Sequence, residues 1–325
     1  MKNVFEKHNL FCFEQGFIAS VKESRVRFRR ASMQYQGEKP LRKPGAGFLF
    51  LGYKEYEFGD DLRFLEVHKL YSTKRLIRQF EATSHDSMVI ILDNSSSMYA
   101  GVAGEALHKI KFAINAACSL ALMGIQSGID SQVGIMSAYN SKQSVHNMVW
   151  SKILRREIDY IRLLYPFIQK NIMQLDINHK YDRKSYAKAM WKEIPPRNNS
   201  KNLFIISDFW YPWKTELADT LLKLSFRFKS INLIQVLSKD ELEFGQKTLK
   251  SQSLTLIDSE SPGSTIVVHS DLLEHYYKRA QEHCEQLKTF SRQHGIAYYP
   301  IKVPLQVDDE KKILLKALAK LTITY

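Results

Sequence analysis

The sequence has few cysteines and no cysteine or histidine spacing that would hold zinc. Cys12, Cys118 and Cys284 are the only cysteines among 325 residues, and they lie far apart. They form no CxxC pair, and none of the ten histidines belongs to an HExxH pattern. These absences exclude a disulfide-stapled scaffold, a zinc finger and an HExxH metallohydrolase. Three scattered thiols are typical of a reducing compartment.

The chain also lacks a long apolar run. The most apolar helical segment, residues 112–125, is about 14 residues long and includes Asn115 and Ser119, so it is too short and too polar to span a bilayer. The first ten residues carry charges and have no apolar centre, which argues against a signal peptide. We therefore expect a cytoplasmic protein, with peripheral attachment at the inner membrane as the alternative.

Low-complexity segments and internal repeats are absent as well, whereas positive charge is abundant. Apolar residues make up 44% of the sequence and charged residues 25%, as in a globular protein with a sizeable core. The net charge is +13. An excess of this size favours an acidic partner, which is a nucleic acid, an anionic membrane surface or an acidic protein.

Two apolar segments that each end in an aspartate predict buried strands. Residues 88–92 read Met-Val-Ile-Ile-Leu and are followed by Asp93, while residues 203–206 read Leu-Phe-Ile-Ile and lead through a serine to Asp208. Apolar runs of this length are typical of strands covered on both faces of a parallel sheet. Because ligands of open α/β sheets bind at the carboxyl ends of strands, neighbouring strands would bring both aspartates to one crevice.

Hydroxyl groups follow the first of these aspartates. Ser95 and Ser97 occupy alternate positions after Asp93. Together with Asp208 they would form an oxygen-only ligand shell, which suits a small hard cation such as Mg²⁺ or Mn²⁺. From the residues alone, the alternative is a polar strand-to-helix turn in which a serine caps the following helix.

Strands and helices alternate from about residue 86 onward, which predicts an α/β fold with a mostly parallel sheet. We assign residues 86–325 to this α/β domain and residues 1–85 to a basic, strand-rich subdomain. Alternation over residues 21–30 predicts a strand with three arginines on one face, either a solvated face or an anion-binding strip. Residues 151–172 predict an amphipathic helix with an apolar stripe of Ile153, Leu154, Ile158, Ile161, Leu164 and Ile168.

In this order the segments resemble a known family. The pattern Asp93-x-Ser95-x-Ser97 with the later Asp208 resembles the metal-ion-dependent adhesion site of von Willebrand factor type A domains. A wider set of segments is similar to the bacterial domain-of-unknown-function family 58, from about residue 20 to residue 321. These segments are 45–48 (GAGF), 53–56 (YKEY), 59–63 (GDDLR), 78–81 (RQFE), 206–209 (ISDF), 239–243 (KDELE), 254–258 (LTLID) and Cys284 with 295–296 (GI).

Two positions depart from the pattern of that family. The family has an Asp-Trp pair soon after the GDDLR segment, where this sequence has Glu66 and Val67. Type A domains also supply a threonine to the metal from a loop before the second aspartate, but residues 182–187 contain none. Ser185 is the candidate hydroxyl there, and Asp182 is a second. The resemblance implies a metal set of Asp93, Ser95, Ser97, Asp208 and Ser185.

The resemblance implies a fold and a role. The fold is a doubly wound, von Willebrand factor A-like sheet with helices on both faces, plus an N-terminal β-rich subdomain. The role is that of a non-enzymatic adaptor or co-chaperone that works with a MoxR-type AAA+ ATPase to mature a client protein complex. In such proteins Mg²⁺ completes its coordination with a carboxylate of the partner protein.

Two other classes of function compete with this interpretation. Haloacid-dehalogenase-like phosphotransferases need a second carboxylate two residues after the nucleophilic aspartate, where this sequence has Ser95. A serine hydrolase needs a GxSxG elbow, and glycines do not flank Ser95 to Ser97. A nucleic-acid-binding protein is favoured by the basic residues from Arg25 to Arg30, although no recognised nucleic-acid-binding motif accompanies them.

Overall fold

The computed structural model describes most of the chain, in separate segments. They are residues 10–23, 44–58, 60–66, 75–81, 87–99, 108–137, 147–172, 194, 200–210, 213–238, 254–257, 265–268, 270–303 and 307–321. The chain divides into two compact units. One comprises Met1–Phe28 and Asp86–Thr324, and the other comprises Arg29–His85 and Tyr325.

The strands and helices are numbered in chain order. The strands are β1 Pro44–Glu55, β2 Leu76–Glu81, β3 Ser87–Asp93, β4 Asp130–Ser137, β5 Asn147–Trp150, β6 Ser200–Ser207, β7 Ser230–Ser238, β8 Leu254–Ile257, β9 Thr265–Val268 and β10 Ala297–Val303. The α-helices are α1 Gln15–Glu23, α2 His108–Gln126, α3 Glu157–Asp159, α4 Tyr165–Ile172, α5 Trp213–Glu216, α6 Ala218–Ser225, α7 Ser270–Gln293 and α8 Val307–Leu321. Short 3₁₀ turns cover Phe11–Phe13, Leu62–Phe64 and Ser96–Tyr99, and Tyr160–Leu164 is a π-helical turn.

Six strands form one sheet in the order β10-β7-β6-β3-β4-β5. Neighbouring strands run parallel, except that the edge strand β5 is antiparallel to β4. The predicted mostly parallel α/β sheet is therefore confirmed. From β3 the chain builds the sheet outward through β4 and β5, and then returns to build the other side through β6, β7 and β10. The order reverses between β3 and β6, which is where ligands of doubly wound sheets bind.

Side chains of β3 alternate between two hydrophobic cores. Met88, Ile90 and Leu92 belong to the core that contains buried residues of α1, α2, α4 and α8. Val89 and Ile91 belong to the opposite core, which contains buried residues of α5, α6 and α7. Helices therefore cover both faces of the sheet, which explains why β3 is apolar at successive positions.

Helix α2 lies very close to the sheet. A Cβ atom added at Gly124 would lie 2.3 Å from Ser131 Oγ and 2.5 Å from Met88 Cε, so both of these side chains would have to move to admit a larger residue at this crossing. The helix is buried along almost its whole length. Even so, none of the helices in the described part of the chain is both long and apolar enough to cross a membrane.

The N-terminal segment differs from the prediction. Residues 15–23 form α1, on which Phe17 and Val21 are buried one turn apart. The predicted strand is therefore wrong for residues 21–23, while residues 24–30 lie outside the described part of the chain. The backbone nitrogen of Cys12 donates to Asn115 Oδ1 at 3.1 Å, which ties this segment to α2. Residues 1–28 belong to the unit of the central sheet, whereas sequence analysis grouped them with residues 29–85.

The predicted amphipathic helix over residues 151–172 is shorter than expected and has a different buried face. Helical structure begins at Glu157, and Leu154 lies in an isolated bridge to Ser131. Ile158 and Ile161 are 45% and 56% exposed. The buried positions are Tyr160, Leu164, Ile168 and Ile172. Positions four residues apart share one face of a helix, and the first of these steps, from Tyr160 to Leu164, spans the π-helical turn.

The second unit contains the antiparallel pair β1 and β2. The turn between them uses its acidic residues locally. Asp60 Oδ1 forms an ion pair with Lys54 Nζ at 2.7 Å, and this contact lowers the pKa of the Asp60 carboxyl. Asp61 binds the Arg63 guanidinium, which likewise lowers its pKa. In the first unit, β8 and β9 form an antiparallel pair.

Candidate functional site

Asp93 ends β3 with its side chain fully buried. Its Oδ1 accepts a hydrogen bond from the backbone nitrogen of Ser95 at 2.9 Å, and its Oδ2 accepts one from the hydroxyl of Ser207. Ser207 is the last residue of β6, which pairs with β3. The two strand ends predicted to carry the site are therefore neighbours, and a side-chain hydrogen bond joins them.

The serines of the first loop lie close to each other. Ser95 Oγ and Ser97 Oγ are 3.0 Å apart. The loop forms the 3₁₀ turn Ser96–Tyr99, and the backbone nitrogen of Met98 donates to Ser95 O at 3.1 Å. Ser97 lies within this turn and Ser95 directly precedes it. Ser95 is buried and Ser97 is half-buried.

Asp208 carries an ion pair that the sequence analysis did not predict. Its side chain is fully buried, and its Oδ2 accepts a hydrogen bond from Lys109 Nζ at 3.0 Å. Lys109 is itself only 1% exposed and lies in the first turn of α2. The other carboxylate oxygen accepts a hydrogen bond from the backbone nitrogen of Trp210 at 3.3 Å. A buried ammonium group therefore stands beside one of the two predicted metal-binding carboxylates.

Two side chains from other elements bind backbone carbonyls of the Asp208 loop, and a third side chain supports one of them. Gln235 of β7 donates from Nε2 to Asp208 O at 2.8 Å, and the hydroxyl of Tyr298 on β10 donates to Gln235 Oε1. His283 of α7 donates from Nε2 to Phe209 O at 2.7 Å, because a carbonyl oxygen can only accept. Burial raises the pKa of Tyr298 well above its usual value, so its hydroxyl remains a donor at neutral pH.

Phe209 has an unusual backbone conformation at this point. Its φ angle is +55°, in the left-handed region that non-glycine residues seldom adopt. The ring is completely buried, and its backbone nitrogen donates to Ser207 Oγ at 3.0 Å. Strained backbone of this kind persists only where the surroundings over-determine it, and it concentrates at binding sites.

The donor chemistry of the site fits a magnesium ion. The two serine hydroxyls are hydrogen-bonded to each other at 3.0 Å, which is also about the distance between adjacent oxygens around Mg²⁺ when six oxygens lie at about 2.1 Å from the ion. Asp93 and Asp208 supply two negative charges, and Lys109 offsets one of them. Within the segments that the structure describes, no three His, Cys, Asp or Glu side chains form a group that could hold a metal ion, so the serine hydroxyls would have to complete the ligand set.

Two predicted features lie outside the described residues. Ser185, the candidate substitute for the missing threonine, is one of them, and the strip from Arg25 to Arg30 is the other. The structure therefore brings Asp93, Ser95 and Ser97 together and joins them through Ser207 to the strand end that carries Asp208. Ser185 stays a prediction.

Comparison with known proteins adds no name for this arrangement. A scan against protein-family models found no matching family, and a search of curated proteins found no significant match.

Sequence analysis missed three polar side chains of the site, although two of them left a signal. Lys109 is a lysine within the apolar face of a helix, three and four residues before the buried Phe112 and Ala113. Gln235 is one of two buried amides, with Asn232, inside the apolar strand β7. A polar side chain at a core position needs a partner, and at both positions that partner belongs to the Asp208 loop. His283 lies on an amphipathic helix and carries no comparable signal.

Proposed function

We propose that this protein is a non-enzymatic interaction adaptor. It binds an acidic group of a partner protein through Mg²⁺ or Mn²⁺ at the carboxyl ends of β3 and β6. One observation carries the proposal. The two aspartate loops meet at the switch point of the sheet, with two serine hydroxyls spaced as adjacent ligands of one ion.

The order of the strands supports the resemblance to von Willebrand factor type A domains. The Asp-x-Ser-x-Ser loop follows the central strand β3, and the second aspartate follows its neighbour β6. The residues that would hold the ion are Asp93, Ser95, Ser97 and Asp208, with Ser185 as the candidate fifth. A bound ion supplies an electrophilic position that an anionic ligand can fill. Ser97, half-buried, is the most accessible of the four described residues.

The environment of the site favours binding over hydrolysis. The histidine beside the Asp208 loop, His283, uses Nε2 to donate to Phe209 O, so this nitrogen cannot take a proton from a water molecule. The hydroxyl of Ser207 donates a hydrogen bond to Asp93, and Ser95 occupies the position at which a phosphotransferase would need a carboxylic acid. We therefore propose that the site recognises a carboxylate and does not turn over a substrate.

The metal is tested with a variant that leaves all charges in place. The double substitution Ser95→Ala/Ser97→Ala removes both hydroxyl ligands but keeps Asp93, Asp208 and Lys109. In calorimetric titration with Mn²⁺, the wild-type protein should bind one ion. The double variant should bind Mn²⁺ at least tenfold more weakly, because it has lost two oxygen ligands; a tenfold change in affinity corresponds to about 1.4 kcal/mol. The control is Ser225→Ala, because Ser225 is exposed at the end of α6 and bonds only locally to Leu222 O. Equal heats from wild type and double variant would sink the metal assignment.

The partner is tested by co-purification. From the resemblance, we propose that the protein acts in the cytoplasm with a MoxR-type AAA+ ATPase encoded in the same genome and with a client protein. The purified ATPase should bind the wild-type protein in Mg²⁺, and either chelator or Ser95→Ala/Ser97→Ala should weaken the complex. Hydrolysis of a phosphoester that depends on Ser95 and Ser97 would overturn the proposal in favour of a phosphohydrolase.

A further inference from the structure

The ion pair between Lys109 and Asp208 places a fixed positive charge beside the proposed metal site. The two groups are 1% and 0% exposed, and 3.0 Å separates Lys109 Nζ from Asp208 Oδ2. Two buried charges lose their hydration, and an apolar pair of similar volume is often just as stable. Stability alone therefore does not account for a lysine at this position, whose partner is one of the two carboxylates of the site.

The charge of the site depends on this lysine. Asp93, Asp208 and Lys109 together carry a net charge of −1, and a divalent ion changes it to +1. Without Lys109 the two carboxylates would carry −2, and the same ion would make the site neutral. An ammonium group close to the ion repels it, whereas the positive charge that remains after loading attracts an anion.

We propose that Lys109 couples metal binding to binding of a carboxylate. The lysine weakens the affinity of the empty site for a divalent ion and strengthens the affinity of the loaded site for an acidic side chain. The ion and the acidic partner then bind cooperatively, so that the site is stably loaded only when both are present. This inference rests on the proposed function, because it needs a divalent ion at the site.

The experiment measures Mn²⁺ affinity by the electron paramagnetic resonance signal of free Mn²⁺. Each protein is titrated in sodium chloride and in sodium acetate of equal ionic strength, with acetate as the carboxylate probe. By linkage, the factor by which acetate tightens Mn²⁺ binding equals the factor by which Mn²⁺ tightens acetate binding. Complexes of acetate with free Mn²⁺ are the same for all proteins and cancel in the comparison.

Four proteins are compared with the wild type. Lys109→Met removes the charge and keeps an unbranched side chain, and Lys109→Arg keeps the charge. Lys111→Met removes the same charge from the same helix two residues away, on a different face of α2. Lys109→Met/Asp208→Asn removes both charges of the pair, so the summed charge of these two positions and Asp93 remains −1.

In chloride, Lys109→Met should bind Mn²⁺ roughly tenfold more tightly than wild type, and in acetate its further gain should be small. Wild type, Lys109→Arg and Lys111→Met should bind more weakly in chloride and gain roughly fivefold in acetate. The double variant should gain from acetate as the wild type does, because the loaded site again carries +1. If Lys109→Met does not fold, Lys109→Gln, which also removes the charge, takes its place in the same comparison, and an Mn²⁺ affinity and acetate gain equal to those of wild type contradict the proposal.

The result separates the two proposals. If wild type and Lys111→Met bind no Mn²⁺, the proposed metal function fails and this inference fails with it. If wild type binds Mn²⁺ but Lys109→Met shows the same affinity and the same acetate gain, Lys109 has only a structural role and the metal function stands. Lys109 would likewise have only a structural role if Lys109→Met lowered the thermal stability but neither tightened Mn²⁺ binding nor reduced the gain from acetate.

Discussion

At the scale of single residues, the site is a buried polar network with few exposed groups. Asp93, Ser207 and Asp208 are all fully buried, and each has a hydrogen-bond partner from another loop or strand. In such surroundings hydrogen bonds and charges interact strongly, and removing one partner costs more than forming the pair contributes. Substitutions that keep the shape of a side chain are therefore the informative ones at this site.

Gln235 should matter both for stability and for the metal. Gln235→Leu removes the donor to Asp208 O and the acceptor of the Tyr298 hydroxyl, and should lower the free energy of unfolding by about 2 kcal/mol. Because the Asp208 loop loses one support, Mn²⁺ affinity should fall several-fold as well. Urea unfolding and Mn²⁺ titration measure the two effects.

The matched control is Gln132→Leu. Gln132 is also a buried glutamine whose Nε2 donates to a backbone carbonyl, that of Ser151 at 2.8 Å, but it lies on β4. The Gln132→Leu variant should lose a comparable free energy of unfolding and keep the Mn²⁺ affinity of the wild type. Equal Mn²⁺ affinity in both variants would show that Gln235 does not position the site.

At the scale of elements, the contact between α2 and the sheet positions Lys109. The helix carries the lysine at its first turn and crosses β3 and β4 closely at Gly124, near its last turn. Because protein interiors are densely filled, a shift at one end of a rigid helix displaces the other end. The small residue at the crossing therefore has consequences for the ion pair with Asp208.

Gly124→Ala should destabilise the protein even though alanine favours helices. The added Cβ would lie 2.3 Å from Ser131 Oγ and 2.5 Å from Met88 Cε, and relieving this overlap should cost about 1–3 kcal/mol in the free energy of unfolding. The control is Gly16→Ala on the exposed side of α1, where no atom lies within 4 Å of the new Cβ. That change should be neutral or stabilise by up to about 0.5 kcal/mol. Urea unfolding that shows no loss for Gly124→Ala would contradict the close crossing.

At the scale of the whole molecule, the net charge of +13 attracts acidic partners of every kind. An acidic protein gains from this charge through faster association, while its specificity comes from the site. A nucleic acid would gain mainly through phosphate contacts, whose strength falls steeply with salt.

Binding to DNA and RNA should be weak near physiological salt. Fluorescence anisotropy with a labelled duplex and a labelled single strand should show binding at about 0.05 M salt that is largely lost at about 0.15 M. The variant Ser95→Ala/Ser97→Ala should behave like the wild type, because it changes no charge. The nucleic-acid-binding interpretation would be revived if the wild type bound tightly at about 0.15 M salt and if substitution of Arg25, Arg27 and Arg29 by serine abolished this binding.

The sequence by itself determined the elements whose signal is local. The apolar runs before Asp93 and Asp208 predicted buried strands, and the apolar segment 112–125 predicted the buried part of α2, because burial leaves a direct pattern in neighbouring residues. The alternation of strands and helices then limited the topology to a parallel sheet with few arrangements. The predicted crevice between the two aspartates followed from this topology.

Only the tertiary structure decided which distant residues meet. Lys109 and Asp208 are 99 residues apart, and Gln235 and Tyr298 are 63 apart, so no periodicity relates them. Tertiary packing also decided that Tyr160–Leu164 forms a π-helical turn and that α1 is a helix. Burial of an aromatic side chain such as Tyr160 in the core outweighs a weak local preference for another backbone conformation. The polar contacts that tune the site depend on how helices dock on the sheet, and that docking is a property of the whole core.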